Sequence, residues 1–210
     1  VDIGLERAGF IHAQDISSLD ASGSEISDSP EIQIAQLLRE GQMLVVQVVK
    51  EPIASKGARL TTHLSIASRY LVHMPRNKHL GISQRIENEE ERERLLSLLA
   101  QCVEKSAMSE NAGFILRTAA EGANEEGLLS DIAFLKKLWS SVEQGMQGCN
   151  EIKPLYQDLV LYMRAMRDLF HTDIERIRVD NKQTSKEVSE FCAQFMPEIE
   201  SRIELYKDER

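Results

Sequence analysis

Arg117 and Thr118 close the apolar run Phe114-Ile115-Leu116, and small residues and Gly122 follow them. A basic residue at a strand end is commonly a solvated surface arginine, because polar side chains mostly face water. The same residues also suit an anion. A guanidinium offers a planar fork of donors, threonine adds a hydroxyl, and a loop of small residues lets backbone amides approach a phosphate. These residues alone leave both readings open. A second group could meet a nucleic acid. Phe10 follows Gly9 on a short apolar stretch, where its ring is either a core residue or a stacking face. Lys50, Lys56 and Arg59 lie along one candidate hairpin. Basic hairpins with a nearby aromatic hold single strands in OB-type barrels through backbone charge and base stacking. A solubilising sheet edge would use the same lysines.

Other chemistry finds little support. The sequence has no P-loop, dinucleotide fingerprint, nucleophile elbow or zinc-ligand pair, and no paired carboxylates of the kind that hold metal for phosphodiester chemistry. His63, His73 and His79 cluster loosely and read as satisfied surface residues more readily than as ligands.

The elements that must position these residues change character along the chain. Residues 1–19 read as a hairpin of short pieces, 20–30 as a Ser/Asp/Gly/Pro loop, and 31–41 as a helix stopped by Gly41. "QMLVVQVVKEP" is the strongest strand, ended by Pro52. "SKGARLTTHLSI" makes a hairpin with it, and "RYLVHMP" is a third strand. Beyond these the period becomes helical over 89–104, returns to a strand at "GFILRT", and is helical again over 128–144 and 157–170. "DIERIRVD" alternates as a strand with Arg176 and Arg178 on one face. A cap at Thr184 or Ser185 starts a helix to Phe195, which Pro197 ends. The pattern predicts an α+β protein: a small β module, then a mixed α/β module, with a boundary near residue 62.

Composition narrows the class. A chain of 210 residues with 42% apolar and 28% charged residues is globular, and no apolar run approaches the length of a membrane span. Three widely spaced cysteines, Cys102, Cys149 and Cys192, argue for a reducing compartment, the cytoplasm, and against a disulfide framework. The net charge of −9 opposes broad nonspecific binding to nucleic acid but leaves room for a local basic groove. Much of the acid sits in "ENEEERERLL", which reads as a solvated helix face with i,i+4 pairs.

Four stretches together resemble one family. "GQMLVVQVVKEPIASKGARLTTHLSIASRYLVHMP", "GISQRIENEEERERL", "GFILRTAAEG" and "IERIRVD" look like the ribonuclease E/G family of bacterial endoribonucleases. "SRYLVHMP" and "FILRTAAEG" are closer to its ribonuclease G branch. The resemblance implies an OB-fold RNA-binding domain at 1–62, incomplete at its start, a 5′-sensor domain at 63–151, and part of a ribonuclease-H-like subdomain at 152–210. It implies that Arg117, Thr118, Val72 and Ser68 bind the 5′-monophosphate of single-stranded RNA. Ser68 stands where ribonuclease E members often have glycine, and Gln84 precedes a retained Arg85 where those members have two arginines. Phe10, Lys56 and Lys50 would contact RNA in the OB domain.

The family's catalytic aspartates and zinc-link cysteines would follow residue 210. Magnesium, and zinc at a subunit interface, therefore belong by this resemblance to a longer, homo-oligomeric parent that processes rRNA and degrades mRNA. This chain alone is expected to carry neither metal and to bind RNA without cutting it. Two other readings stay open: a stand-alone RNA-binding adaptor without catalytic activity, and a helical protein-interaction scaffold in which Arg117, Thr118 and Lys56 are ordinary surface residues.

Overall fold

Two glycines set the first sheet. A Cβ at Gly57 would stand 1.9 Å from the Ala8 carbonyl oxygen, and one at Gly9 would stand 2.6 Å from Leu60 Cδ1. Only residues without a side chain let these two segments lie so close. The contact brings β1 (Phe10–Ile11) parallel to β3 (Arg59–Thr61), and β2 (Gln47–Lys50) pairs antiparallel with β3 on its other side. The computed structural model describes residues 1–16, 34–106, 112–170 and 174–207. Among these residues the first sheet is open, with β1 and β2 at its edges, and no closed barrel forms. Near the start Val1 and Gly9 exchange backbone hydrogen bonds at 2.8 and 2.9 Å, as in the expected hairpin of short pieces, and the strand that follows pairs parallel with β3 over a long crossover. The expected loop at 20–30 lies outside the described residues, and among the described residues of the expected helix at 31–41 only α1 (Ile34–Leu37) is helical.

The hairpin of β2 and β3 forms as the sequence predicts, closed by the Ile53–Lys56 bridge around Ala54 at φ 52°. Its second arm is shorter than expected. Residues 62–65 leave the first sheet, and β4 (Ile66–Ala67) begins a second one, in the order β4-β5-β7-β6. There β5 (Leu71–Met74) pairs antiparallel with both β4 and β7 (Gly113–Leu116), while β6 (Leu80–Ile82) runs parallel to β7. Gly113 is obligatory, because a Cβ there would lie 2.0 Å from the Asn77 carbonyl oxygen.

One face of this sheet carries the core. Leu71, His73, Phe114 and Leu116 are buried with Leu95 and Leu99 of α2 (Glu89–Lys105) and with Leu128, Ile132 and Leu135 of α3 (Glu125–Met146). Each such leucine contributes about 1.5–3 kcal/mol on burial. Both helices start at asparagine caps: Asn88 accepts from the Glu91 amide at 3.0 Å and Asn124 from the Gly127 amide at 2.9 Å. Val72, Met74 and Ile115 alternate onto the opposite, half-exposed face.

The last third packs onto the same core. After α4 (Leu161–Leu169), β8 (Ile177–Val179) and β9 (Ile203–Leu205) form a parallel pair joined through α5 (Lys182–Phe195) and α6 (Pro197–Glu200). The cap of α5 is Asn181, accepting from the Thr184 amide at 3.0 Å, and not Thr184 or Ser185. Val188, Phe191, Cys192 and Ile199 belong to one contiguous core with β5, β7 and α3. No helix is long and apolar enough to cross a membrane among the described residues.

Candidate anion site and RNA-contact surface

Arg117 follows the last residue of β7, where an extended backbone (φ −84°, ψ 164°) turns into the 3-10 turn Thr118–Ala120. Its amide donates to the Tyr70 carbonyl at 2.8 Å. Its guanidinium Nη1 donates to the carbonyl of Ser68 and, at 3.2 Å, to that of Arg69. The fork therefore lies on the short loop between β4 and β5. Val72 starts one residue beyond that loop and pairs with Ile115, two residues before Arg117. Arg117, Ser68 and Val72 thus meet at one end of the sheet. Thr118 is exposed beside them, and its hydroxyl has no partner among the described residues.

Two features bear on an anion. Neither Arg117 nor Arg69 forms an ion pair with a carboxylate among the described residues. Arg69 instead donates to the Phe170 carbonyl at 3.2 Å, with its guanidinium 4.7 Å from the centre of the Tyr70 ring. Half-buried guanidiniums without acids are poised to take an external one. The loop that follows β6 lies at the same end, since the Ser83 amide donates to the Leu116 carbonyl at 2.8 Å. It carries exposed Gln84 and Arg85.

Three loops meet here, and charged side chains on helices tie each one down. Asp131 of α3 is buried, and its Oδ2 accepts from the Ser68 hydroxyl at 2.6 Å and from the Tyr70 and Leu71 amides at 2.6 and 3.1 Å. Arg167 of α4, also buried, donates to the Ala67 carbonyl at 2.8 Å while gripping Asp168. Arg92 of α2 donates to the carbonyls of Ser83 and Ile86 at 3.0 and 2.9 Å. Glu91 accepts from the Gly122 amide at 2.8 Å, and its partner Arg94 donates to the Ala123 carbonyl at 3.0 Å. Those Arg94 and Gly122 bonds hold the half-buried Glu91 carboxyl down at about 2. The acidic stretch of α2 is therefore more than the solvated face its composition suggests. Its close pairs are spaced i,i+3, and Glu91 and Arg94 fasten the loop beyond Thr118.

Burial pushes the Asp131 carboxyl above its ordinary range, against the pull of the Ser68, Tyr70 and Leu71 hydrogen bonds and of Arg167. Ser68 is fully buried, so its hydroxyl faces Asp131 and the core and not the surface. Asp131, Arg167 and Arg69 were missed in the sequence. The available signal was periodicity: Asp131 sits three residues after Leu128 and four before Leu135, on the apolar stripe of α3.

His73 departs from the surface reading. It is buried, stacked on Phe114 at 4.8 Å between ring centres, with Nδ1 3.2 Å from the Gly113 carbonyl and Nε2 without a partner among the described residues. Burial lowers its pKa below the usual imidazole value, partly countered by the Gly113 bond and by Glu143.

The other candidates lie on the first sheet. Register places Phe10 opposite Arg59, and Arg59 opposite Lys50. The Phe10 ring is 39% exposed and contacts His12 edge-on at 5.7 Å. Arg59 is drawn to Asp15 at 3.0 Å, whereas Lys50 and Lys56 are exposed and unpaired among the described residues. Lys56 projects from the hairpin tip, which Arg7 anchors through the Ala54 carbonyl. These residues form a surface distinct from the Arg117 site. No group of three or more His, Cys, Asp or Glu among the described residues is placed to hold a metal ion. No magnesium- or zinc-dependent step is assigned to them.

Known proteins carry the same sequence pattern. A model of the ribonuclease E/G family matches residues 65–210. The chain is 47% identical to ribonuclease G of Haemophilus influenzae over 98% of its length, covering 41% of that protein. It is 44% identical to ribonuclease G of Escherichia coli K12, covering 98% of this chain and 42% of the relative. Ribonuclease E of the same organism is 34% identical, over all of this chain and 19% of that protein. The chain thus spans about two fifths of the length of these ribonuclease G relatives. With the matched region covering more than half of its residues, the chain belongs to the ribonuclease E/G family.

Proposed function

We propose that the chain is the RNA-binding and 5′-monophosphate-sensing portion of a single-strand-specific endoribonuclease acting in rRNA processing and mRNA decay. The observation that carries this reading is the Arg117 fork at the junction of three fastened loops, with no carboxylate paired to it and the Thr118 hydroxyl beside it unpartnered among the described residues. A terminal monophosphate brings up to two negative charges and acceptor oxygens for one guanidinium and one hydroxyl. Arg69 and Arg85 lie on the neighbouring loops and add positive charge.

In this reading residues 1–62 act as an OB-type RNA-binding module, 63–151 as the sensor, and 152–210 as part of a ribonuclease-H-like subdomain that supports it. Phe10 stacks on a base while Lys50 and Lys56 neutralise phosphates, so a low net affinity for duplex or bulk nucleic acid coexists with capture of single strands. Contacts at the RNA end, remote from the scissile bond, hold the substrate in register in the cytoplasmic, homo-oligomeric, magnesium-dependent parent. Zinc at its subunit interface belongs to that parent as well.

Titration of the chain with one short single-stranded RNA bearing a 5′-monophosphate or a 5′-hydroxyl tests the reading. Tighter binding of the monophosphate, by about ten- to a hundredfold, is expected from charge-assisted hydrogen bonds worth about 1.5–3 kcal/mol. Equal affinity for the two ends would overturn it.

A further inference from the structure

Between β4 and β5 the chain turns through Arg69 and Tyr70, with Ala67 and Val72 paired on either side. A tight turn of this kind is commonly closed by a bond from the fourth amide back to the first carbonyl. Here the Ser68 amide does donate to the Leu71 carbonyl at 2.8 Å, but the closing bond from Leu71 back to Ser68 is split. The Leu71 amide donates to Asp131 Oδ2 at 3.1 Å, and the Ser68 carbonyl accepts from Arg117 Nη1. We propose that Asp131 is the positioning residue of the anion site. It holds the 68–71 turn open so that the turn's carbonyls seat Arg117, and it sets the preference for a 5′ phosphate without touching the RNA, a role that rests on the end-sensing reading of Arg117.

Peptide geometry supports it. A planar trans peptide points its N–H and its C=O in opposite directions. The Arg69–Tyr70 peptide gives its N–H to Asp131 at 2.6 Å and its C=O to Arg117 Nη1 at 3.2 Å. The Tyr70–Leu71 peptide gives its N–H to Asp131 at 3.1 Å and its C=O to the Arg117 amide at 2.8 Å. Ser68 donates its hydroxyl to the same Oδ2 at 2.6 Å. Asp131 and Arg117 thus face each other across the turn with two peptide dipoles aligned between them, and each hydrogen bond in such a chain strengthens the next. With the carboxylate gone, the Leu71 amide is free to return to the Ser68 carbonyl, and Arg117 loses a seat.

The seat decides what Arg117 presents to an anion. Nη1 is engaged with the Ser68 and Arg69 carbonyls, while Nε and Nη2 have no partner among the described residues. Those two atoms form an edge that takes an oxyanion through two parallel hydrogen bonds. A guanidinium free to turn on its stem must be ordered by each ligand it meets, whereas one held through Nη1 is ordered beforehand. A direct Asp131–Arg117 pair would consume the edge that the phosphate needs. The interposed peptides let the acid orient the arginine and leave that edge open. Asp131 is itself fixed, because α3 carries it among buried Leu128, Ile132 and Leu135. A buried carboxylate is weak evidence of stabilisation for its own sake. Its place behind Arg117 gives it a use in binding.

The test compares the 210-residue chain with Asp131→Asn, which keeps an acceptor of the same shape and removes the charge. Affinities for the 5′-monophosphate and 5′-hydroxyl forms of one short single-stranded RNA are titrated well below each variant's melting temperature. The monophosphate preference should fall about three- to tenfold in Asp131→Asn, with hydroxyl affinity within about twofold of wild type. Leu99→Ala, which removes core packing on α2 and none of the turn's hydrogen bonds, should keep the preference. In an Arg117→Ala background Asp131→Asn should leave the ratio unchanged, because residues acting through one contact are not additive. Should Asp131→Asn fail to fold, Ser68→Ala removes one of the three donors to Oδ2, with an expected fall of about two- to threefold. A second readout needs no RNA. The proton–nitrogen correlation signal of Arg117 Nε should be distinct in wild type and Leu99→Ala, and should move to the position of mobile arginines in Asp131→Asn. That movement in a chain indifferent to the 5′ phosphate would support the positioning role while sinking the end sensor. An Arg117 signal or a phosphate preference that survives Asp131→Asn intact would overturn the role. So would an equal fall in Leu99→Ala, which would mark the effect as general loss of stability.

Discussion

The two sheets present candidate ligand groups in opposite ways. In the first, Phe10, Lys50 and Lys56 project from an open three-stranded sheet whose own ion pair, Arg59 with Asp15, is partly exposed. In the second, Arg117 rests on a loop whose turn is fixed from below by buried Asp131 and Arg167. A surface that meets a flexible polymer through stacking and charge needs little preorganisation. A pocket that must distinguish one terminal phosphate needs its donors held in place before the ligand arrives.

The largest expected effect tests that dependence on buried groups. Asp131→Ala strips the acceptor from one hydroxyl and two amides at once, and should cost about 3–5 kcal/mol in urea denaturation. Asp15→Ala, its counterpart in the first sheet, should cost less than about 1 kcal/mol, because a partly exposed pair is screened by water. Similar losses at the two positions would erase the contrast. On the binding side, Phe10→Ala should cost about 1–3 kcal/mol for a 5′-hydroxyl RNA with no change in fold by circular dichroism. Unfolding of that variant would instead make Phe10 a core residue.

His73 separates the sheets by pH. Its folded pKa is depressed by burial, so the unfolded chain takes up the proton first. Its contribution is present in full above the unfolded value of about 6.5 and is lost as pH falls below it. The groups around it are the Phe114 and Trp139 rings, the Gly113 carbonyl and, at longer range, Glu143. Melting temperature should therefore fall more between pH 7.5 and 5.5 for the wild type than for His73→Leu. Equal falls would remove His73 from the pH response. The smallest effect belongs to the first sheet: Lys56→Ala should lower the slope of log affinity against log salt by about 0.7, the value for one lost phosphate contact on a single strand. An unchanged slope would leave Lys56 off the RNA path.

Legibility in the sequence followed the range of the interactions. Helices α2 and α3 and strands β5 and β7 were readable because their periodic apolar residues report burial locally. β4 and β6 were not. Two residues make no period, and Leu80-Gly81-Ile82 is broken by a glycine that a strand accepts only through its neighbours. The parallel pairing of β1 with β3 depends on contacts between Gly9, Gly57 and Ala8, which sit nearly fifty residues apart in sequence. The site divides in the same manner. Arg117 and Thr118 stood out because they break an apolar run. Asp131 looks like any polar helix residue until its partners, 60 to 63 residues away, arrive. Ser68 was named by resemblance, and the fold turns its hydroxyl inward, towards Asp131 and the Leu71 carbonyl.

The central claim is that one sheet reads the RNA end and the other holds the strand. It is tested most directly by the ratio of affinities for 5′-monophosphate and 5′-hydroxyl RNA, measured in wild type, Arg117→Ala and Lys56→Ala. The account predicts a ratio of about ten to a hundred in the wild type, near one in Arg117→Ala and unchanged in Lys56→Ala, although Lys56→Ala weakens both RNAs. A ratio that survives in Arg117→Ala, or one that collapses in Lys56→Ala, would contradict it.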